Sequence, residues 1–546
     1  MQQIIIYKEE RQPMEKKNIV IGGAWPYANS DIHLGHIAGL ISGDVLARYF
    51  RANGHNVVYV SGTDCHGTPI TERAKKEKKS PKEIADYYDA RDREALKEFE
   101  FSYDLYTNTD TDFHKKEVME MFKKIYDNGY IYEKVEPQPY CENCHKFLSD
   151  REIQIICPKC GTETKAEQCD GCQYVPTIED MKDGICLECK TKTVLKDNKN
   201  LYLALSKFQK EIEEHTNKTN TLWRLNAKNE TAKYLKQGLV DRAVTRDLDW
   251  GVDIPVQGYE DKKMYVWIDA VFGYITATKK WCEDNGMNWE DFWKEGNNNE
   301  IYMVHGKDNI VFHSIILNAL LLAMKENYHL VDTIVSSEYL NINDEKISKS
   351  KGNGIPAIEL VKQYNPDVLR FHLINNGPEK KDSNFTIDQL VATNNGELLN
   401  KFGNLVNRTL KFKGIEEITV ESLDNEVEEK IKETYETVGK AIEKLEFKEA
   451  SDKAMELVEF ANKYYDDKQP WVQKKENIDE FNKTIYNCTV IIANLSNIFE
   501  PFMPATCEKI RKYLHLEEKS NWNLIKLNSN IKLENIEPLF TRLENN

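Results

Sequence analysis

A parallel α/β sheet with helices on both faces, interrupted by a cysteine-rich insertion and followed by an all-helical region, is the architecture this sequence predicts. Three observations carry it. Short apolar runs closed by glycine alternate with helical periodicity near the start and again after residue 262. Four Cys-x-x-Cys pairs fall between Cys141 and Cys189. Beyond Gly396 glycine nearly vanishes while apolar residues recur at helical spacing.

The chain has 546 residues, of which 40% are hydrophobic, so it can bury several cores. Its longest apolar run, Ser314 to Met324, contains Asn318 and is too short to span a bilayer; it reads as a buried helix. The first residues set Ile4-Ile5-Ile6-Tyr7 against Lys8, Glu9, Glu10 and Arg11, which is not a secretory leader. The expected location is therefore the cytoplasm, and Met14 is a second candidate start. A formal charge of −16 has the wrong sign for a general nucleic-acid binder, so any RNA contact must rest on local basic patches.

After an extension over 1–17, residues 18–113 read as the first half of a nucleotide-binding sheet. Ile19-Val20-Ile21 and Val57-Val58-Tyr59-Val60 are buried parallel strands, and Ile37 to Phe50 is the helix between them. Ligands of such sheets bind beyond the carboxyl ends of the strands, where Gly22 to Tyr27 and Ser61 to His66 would lie. That brings Asp64 beside His33-Leu34-Gly35-His36, two imidazoles at a helix start suited to an anion. On spacing alone, Asp64 also fits a turn after a strand.

Residues 114–262 form the insertion. Each of Cys141/Cys144, Cys157/Cys160, Cys169/Cys172 and Cys186/Cys189 offers two thiolates, and eight thiolates make two closed zinc sites. Nested pairing is expected, inner pairs together and outer pairs together, because the short connection between the inner pairs suits a zinc ribbon. The zincs would be structural, supporting a strand-poor unit without an apolar core of its own. Cys65, Cys282, Cys488 and Cys507 stand apart and read as packing residues.

The sheet resumes over 263–338. Met264 to Ala270 reads as a strand, and so does Ile301-Tyr302-Met303-Val304, which ends at a polar turn from His305 to His313. A connector over 339–396 carries Lys346-Ile347-Ser348-Lys349-Ser350-Lys351-Gly352-Asn353, whose cations and hydroxyls suit a polyphosphate, although a solvated charge run has the same composition. Residues 397–546 read as a helical bundle, with stripes at Val427, Ile431, Tyr435, Val438, Ile442 and Leu445 and at Ile485, Ile492, Leu495 and Phe499.

The His33 to His36 and Lys346 to Asn353 motifs, in this order, resemble the two signatures of class I aminoacyl-tRNA synthetases. With Ala24 to Asn29, Gly62 to Ile70, the four knuckles, Trp267-Ile268-Asp269-Ala270, Gly306-Lys307-Asp308 and His313, the resemblance narrows to the methionyl-tRNA synthetase family and covers nearly the whole chain. It implies a split Rossmann-like catalytic domain with a zinc-knuckle insertion, a connector carrying the KISKS loop, and an all-α anticodon-binding bundle. The implied activity is methionine–tRNA ligase: ATP and methionine give methionyl-adenylate and pyrophosphate, and the aminoacyl group then passes to tRNA. The implied catalytic residues are His33, His36, Lys346 and Lys349. ATP would be held by these with Gly35, Gly306, Asp308 and Ser348, and Mg²⁺ would accompany it. Methionine would be held by Ala24, Trp25, Tyr27, Asp64, Trp267, Ala270 and His313. Asn404, Arg408 and Trp471 resemble the anticodon-binding positions, within a local basic patch of Lys401, Arg408, Lys411 and Lys413. Val271-Phe272 and Trp25 depart from the family pattern, and both positions border the implied amino-acid pocket. The lack of a further C-terminal domain favours a monomer. Two other classes share features with the chain: a shorter nucleotidyltransferase using the same histidine pair, and a non-catalytic zinc-knuckle RNA-binding protein.

Overall fold

The computed structural model describes residues 15–346, 354–516 and 520–544, apart from 167, 168, 170, 173 and 175, with the backbone alone at 151, 345 and 346. Met14 and the stretch from Ile347 to Asn353, with Ser348 and Lys349, lie outside the described residues, as does the side chain of Lys346.

Strand β1 (Asn18–Gly23) leads into helix α1 (Leu34–Ala52), which returns the chain to β2 (Asn56–Thr63). Helix α2 (Pro81–Glu98) is started by Ser80 and Glu83 in a reciprocal capping box, with Pro81 fixing its first turn. Then come β3 (Leu105–Asn108), α3 (Asp112–Asp127), and the long antiparallel strands β4 (Ile131–Cys141) and β5 (Val194–Leu203) of the insertion. The chain re-enters the central sheet through α4 (Val266–Asn285), β6 (Asn299–Gly306) and β7 (Thr333–Ser337). The central sheet has the order β7-β6-β1-β2-β3 and is parallel throughout.

Alternation along these strands divides the core. Ile19, Ile21, Val57, Tyr59, Tyr302 and Val304 face one hydrophobic layer, whereas Val20, Val58, Val60, Ile301 and Met303 face the other. Because both faces are covered, the strands are continuous apolar runs instead of alternating ones. The first layer continues unbroken into the C-terminal helices α5 (Pro366–Asn376), α6 (Asn425–Glu443), α7 (Phe447–Lys468), α9 (Ile478–Ile498) and α10 (Pro504–Tyr513), with the short α8 (Pro470–Glu476) between α7 and α9. All ten residues of the two predicted stripes are buried. No described helix is long and apolar enough to cross a membrane.

A buried charge cluster joins this bundle to α1. Arg370, fully buried on α5, donates to Asp44 Oδ2 (2.6 Å) and to the carbonyls of Phe99, Pro501 and Phe502 (3.1 Å each). Burial alone would raise the Asp44 carboxyl; Arg48 and Arg370 outweigh it and hold the group well below the usual carboxylate range. Removing one partner would leave a buried charge uncompensated, so the hub fixes how the helix bearing His33 and His36 sits on the bundle.

Three expectations are corrected. Met264 to Ala270 is not a strand: only Lys263–Met264 is extended, and Val266 begins α4. The insertion is not strand-poor. It has two sheets, of four and three strands, and its own apolar cluster of Leu148, Ile153, Ile155, Ala166 and Met181 with Cys141 and Cys186, because the short strand Ile153–Ile156 alternates and turns Ile153 and Ile155 inward. The bundle also holds a two-residue strand pair, Glu417–Ile418 with Ile531–Lys532, where the C-terminal tail folds back over it.

Candidate functional site

The sheet order reverses between β1 and β6, and beyond the carboxyl ends of these strands lies a cavity of about 480 Å³. Its walls come from the loop after β1 (Ala24 to Tyr27), the start of α1 (His33, Gly35, His36, Gly39), Asp64 after β2, α4 (Trp267, Ala270, Val271, Tyr274), and the turns after β6 and β7 (His305 to His313, Ser337 to Leu340). All the predicted residues for ATP and methionine whose side chains are described line this one space.

The two histidines cap their own helix. His33 Nδ1 accepts from Gly35 N (3.1 Å), His36 Nδ1 accepts from His33 N (3.1 Å), and the two rings stand 3.9 Å apart. A ring nitrogen that accepts carries no proton, so this reciprocal cap places the proton of each neutral imidazole on Nε2. The first turn of α1 also turns the positive end of the helix dipole toward the cavity.

The opposite wall is aromatic. Tyr27 OH accepts from Trp267 Nε1, and Trp267 meets Phe312 edge-on with centroids 3.8 Å apart. His313 is fixed from both sides: Nδ1–H donates to Asn309 O (2.8 Å), and Nε2 accepts from Tyr274 OH (2.7 Å). Burial pushes His313 down to about 4, so it is a neutral ring beside a neutral phenol. Trp25 is seated between two glycines. A Cβ on Gly62 or Gly273 would come within 2.5 or 2.6 Å of the indole, so only a bare backbone on each side admits a ring here. Its position against Tyr274, edge-on at 6.2 Å, narrows the cavity floor.

Asp64 is 2% exposed, and its backbone is tied to Pro26 and Ala28. Asp308 accepts from Tyr339 OH, whereas Lys307 is held by Glu338 (2.6 Å) and Asp382 (2.8 Å).

Tyr274 and His305 are cavity residues absent from the sequence-based set. Tyr274 lies four residues beyond Ala270, hence on the same face of α4, and reading this stretch as a strand hid it. His305 stacks on His313 at 4.3 Å.

The cysteines gather as two sets, Cys141/Cys144/Cys186/Cys189 and Cys157/Cys160/Cys169/Cys172, each with its sulfurs within 4.8 Å of one another. Four thiolates around one ion at about 2.3 Å lie ~3.8 Å apart. The sulfur pairs here span 3.3 to 3.9 Å, so both clusters could hold a tetrahedral metal ion, and the pairing is nested. Thr191 and Thr162 place hydroxyls beside Cys189 and Cys160 and hold those thiols below their ordinary range. Cys65, Cys282, Cys488 and Cys507 are buried outside both clusters.

In the bundle, Asn404 and Arg408 are one turn apart, and Arg408 lies over the Tyr465 ring at 4.1 Å. Trp471 stands beside the same tyrosine, centroids 6.2 Å apart, and is 45% exposed. None of the three lines the cavity. The expected basic patch is weaker than its sequence implies. Lys401 pairs with Glu397, one turn before it, and with Glu459, and Arg408 pairs with Asp466, the last two carboxylates facing them from α7.

The family model described as tRNA synthetases class I (M) matches residues 19–410, and that of the anticodon-binding domain of tRNA ligase matches residues 424–537. The chain is 44% identical over 531 residues to methionine–tRNA ligase 1 of Alkaliphilus oremlandii, and 45% identical over 535 residues to methionine–tRNA ligase of Bacillus mycoides. Each comparison covers 96% of this chain and 97% of the relative. Its fold is similar to that of Mycobacterium tuberculosis methionyl-tRNA synthetase in complex with methionyl-adenylate, with a TM-score of 0.79 over 97% of this chain and 100% of that one, at 22% identity. With a sheet that reverses at the histidine-capped helix, and with these matches along its length, the chain belongs to the methionyl-tRNA synthetases of class I.

Proposed function

We propose that the chain activates L-methionine with ATP, forming methionyl-adenylate and pyrophosphate, and transfers methionine to the 3′ end of its tRNA. The observation that carries this reading is the cavity itself. A neutral His313–Tyr274 pair and the rings of Tyr27 and Trp267 form an uncharged wall suited to a polarisable thioether, opposite a buried carboxylate and a helix start suited to an anion.

Little covalent assistance is needed when a carboxylate attacks an α-phosphate, so catalysis rests on alignment and on donors aimed at the developing charge. His33 and His36 supply Nε2–H donors to the phosphoryl oxygens, and Gly35 borders the nucleotide at the same helix start. Gly306 and Asp308 border the nucleotide. Lys346, Ser348 and Lys349 hold the leaving pyrophosphate, and Mg²⁺ bound to ATP neutralises part of its charge. Asp64 receives the methionine ammonium, while Ala24, Trp25, Tyr27, Trp267, Ala270 and His313 enclose the side chain. Asn404, Arg408 and Trp471 read the anticodon from the bundle. In domain terms, 18–113 and 263–338 form the two catalytic halves, 114–262 the insertion, 339–396 the connector and 397–546 the anticodon-binding unit.

The test is amino-acid-dependent ATP–pyrophosphate exchange with all twenty amino acids. Exchange with methionine alone is expected; exchange with another amino acid, or with none, would displace this reading.

The two cysteine sets hold Zn²⁺ as closed, structural sites. Elemental analysis should find two zinc ions per chain, and Cys157→Ser should lower the content toward one with a reduced melting temperature. A wild-type content of one zinc would contradict the two-site assignment.

A further inference from the structure

The carboxylate that faces the cavity belongs to a buried acidic cluster containing a single imidazole. Asp64 after β2, Asp110 after β3 and Asp269 in the first turn of α4 converge on His66, which is 1% exposed. His66 Nδ1 lies 2.9 Å from Asp269 Oδ2 and Nε2 lies 3.4 Å from Asp110 Oδ1, while its backbone N–H donates to Asp64 Oδ1 (3.2 Å). Against ionised carboxylates at both ring nitrogens, both nitrogens donate, and an imidazole that donates twice is an imidazolium.

We propose that His66 is the positioning residue of the ammonium subsite, a buried cation that favours the ionised form of Asp64, the form that receives the amino group of the substrate. This inference rests on the functional reading given above.

The charges around the cluster support it. Asp110 has outside partners, Lys115 and Lys82, but no lysine or arginine is paired with Asp64 or Asp269 among the described residues. The Asp269 atom Oδ1 is buried with no hydrogen-bond partner. Burial, and then Asp269, push the Asp64 carboxyl well above its ordinary range, and His66 is the group that opposes them. Without that cation the protonated form would gain further, and a protonated Asp64 offers an ammonium only a neutral carbonyl oxygen in place of a charge. Burial alone would neutralise His66, but its hydrogen bonds to Asp110 and Asp269 outweigh this and push it up to about 9. The remaining titratable neighbours do not replace it. Burial and then His66 hold His114 down at about 3, with its Nδ1 on Thr276 Oγ1 (2.8 Å), and burial raises the Tyr27 phenol well beyond its ordinary range. His66 is not among the residues lining the cavity, so it acts through Asp64 and not on substrate directly.

The experiment compares the full chain, His66→Gln and the double variant His66→Gln/Asp269→Asn in their binding of L-methionine, of 4-(methylthio)butanoate, which lacks the ammonium, and of ATP. His66→Gln should weaken methionine binding about tenfold, the size of one lost charge interaction of ~1.4 kcal/mol, and leave the desamino compound and ATP nearly unchanged. The preference for the ammonium then shrinks. The double variant should regain part of the methionine affinity, because one repelling carboxylate has gone with the cation. Equal weakening of methionine and the desamino compound, or a double variant weaker than His66→Gln, would show a packing role and overturn the proposal. A wild-type chain without methionine-dependent exchange would overturn the functional reading itself, and this inference with it.

Discussion

Replacing His36 with alanine is expected to lower methionine-dependent ATP–pyrophosphate exchange by about two to three powers of ten, the loss typical of removing one preorganised donor from a developing oxyanion, while methionine affinity stays nearly unchanged. The substitution has a second consequence that must be separated from the first. His36 Nδ1 accepts from His33 N at the start of α1, so alanine also leaves a helix-start donor unpaired. Losing a cap of this kind costs about 0.5–2 kcal/mol, which appears as a lower melting temperature and not as a rate defect of this size. His36→Gln separates the two effects, because glutamine at this position can accept from the N-cap backbone and rebuild the box. It should restore the melting temperature and leave the rate depressed. If His36→Gln recovers full exchange, the imidazole serves the helix and not the phosphate, and the donor role assigned to it is wrong.

The double role of that histidine bears on what the sequence could reveal. The strands of the central sheet were legible because both faces of a parallel sheet are covered, so Ile19 to Ile21, Val57 to Val60 and Ile301 to Val304 stand out as continuous apolar runs. The same property caused the misreading at Met264 to Ala270. Helix α4 is buried on most sides and carries valine, isoleucine and aromatic residues, so it shows no polar face from which a helical period could be read. Its length and its stop would have corrected the reading: Gly286 adopts a left-handed conformation (φ 64°) that ends the helix after Asn285. The cysteine pairing was legible because chemistry permits few arrangements of eight thiols, whereas the small apolar core beneath the knuckles depends on short strands whose register is set only in three dimensions. What spacing could not supply was the second tier of the site. Tyr274 and His66 matter through what they touch, and neither the bond from Tyr274 to His313 nor the clamp of Asp110 and Asp269 on His66 leaves a pattern along the chain.

Trp471→Ala is expected to reduce the efficiency of tRNA charging by about 10- to 100-fold, the 1–3 kcal/mol that a base stacked on an aromatic ring contributes, while pyrophosphate exchange without tRNA stays near that of the wild type. The argument begins with exposure. A tryptophan that follows a proline at a helix start is ordinarily part of the core, yet this one is 45% exposed while Pro470 is buried beneath it. Tyr465 and Arg408 complete a short platform: the tyrosine is 4% exposed, the guanidinium lies over its ring, and its hydroxyl donates to Arg408 O (3.1 Å). Such a surface suits unpaired bases, which offer flat faces for stacking and free edges for hydrogen bonds. Asn404, exposed one turn before Arg408, has the donor and acceptor needed to read an edge. Because Lys401 and Arg408 are already engaged by carboxylates, the platform should depend on stacking more than on phosphate attraction, and the affinity for tRNA should fall less steeply with salt than a basic patch would dictate. The charging defect should therefore persist across ionic strength, and Trp471→Phe, which keeps a ring, should recover much of it. Equal losses in charging and in exchange, accompanied by a lower melting temperature, would instead make Trp471 a packing residue and remove the platform from the anticodon.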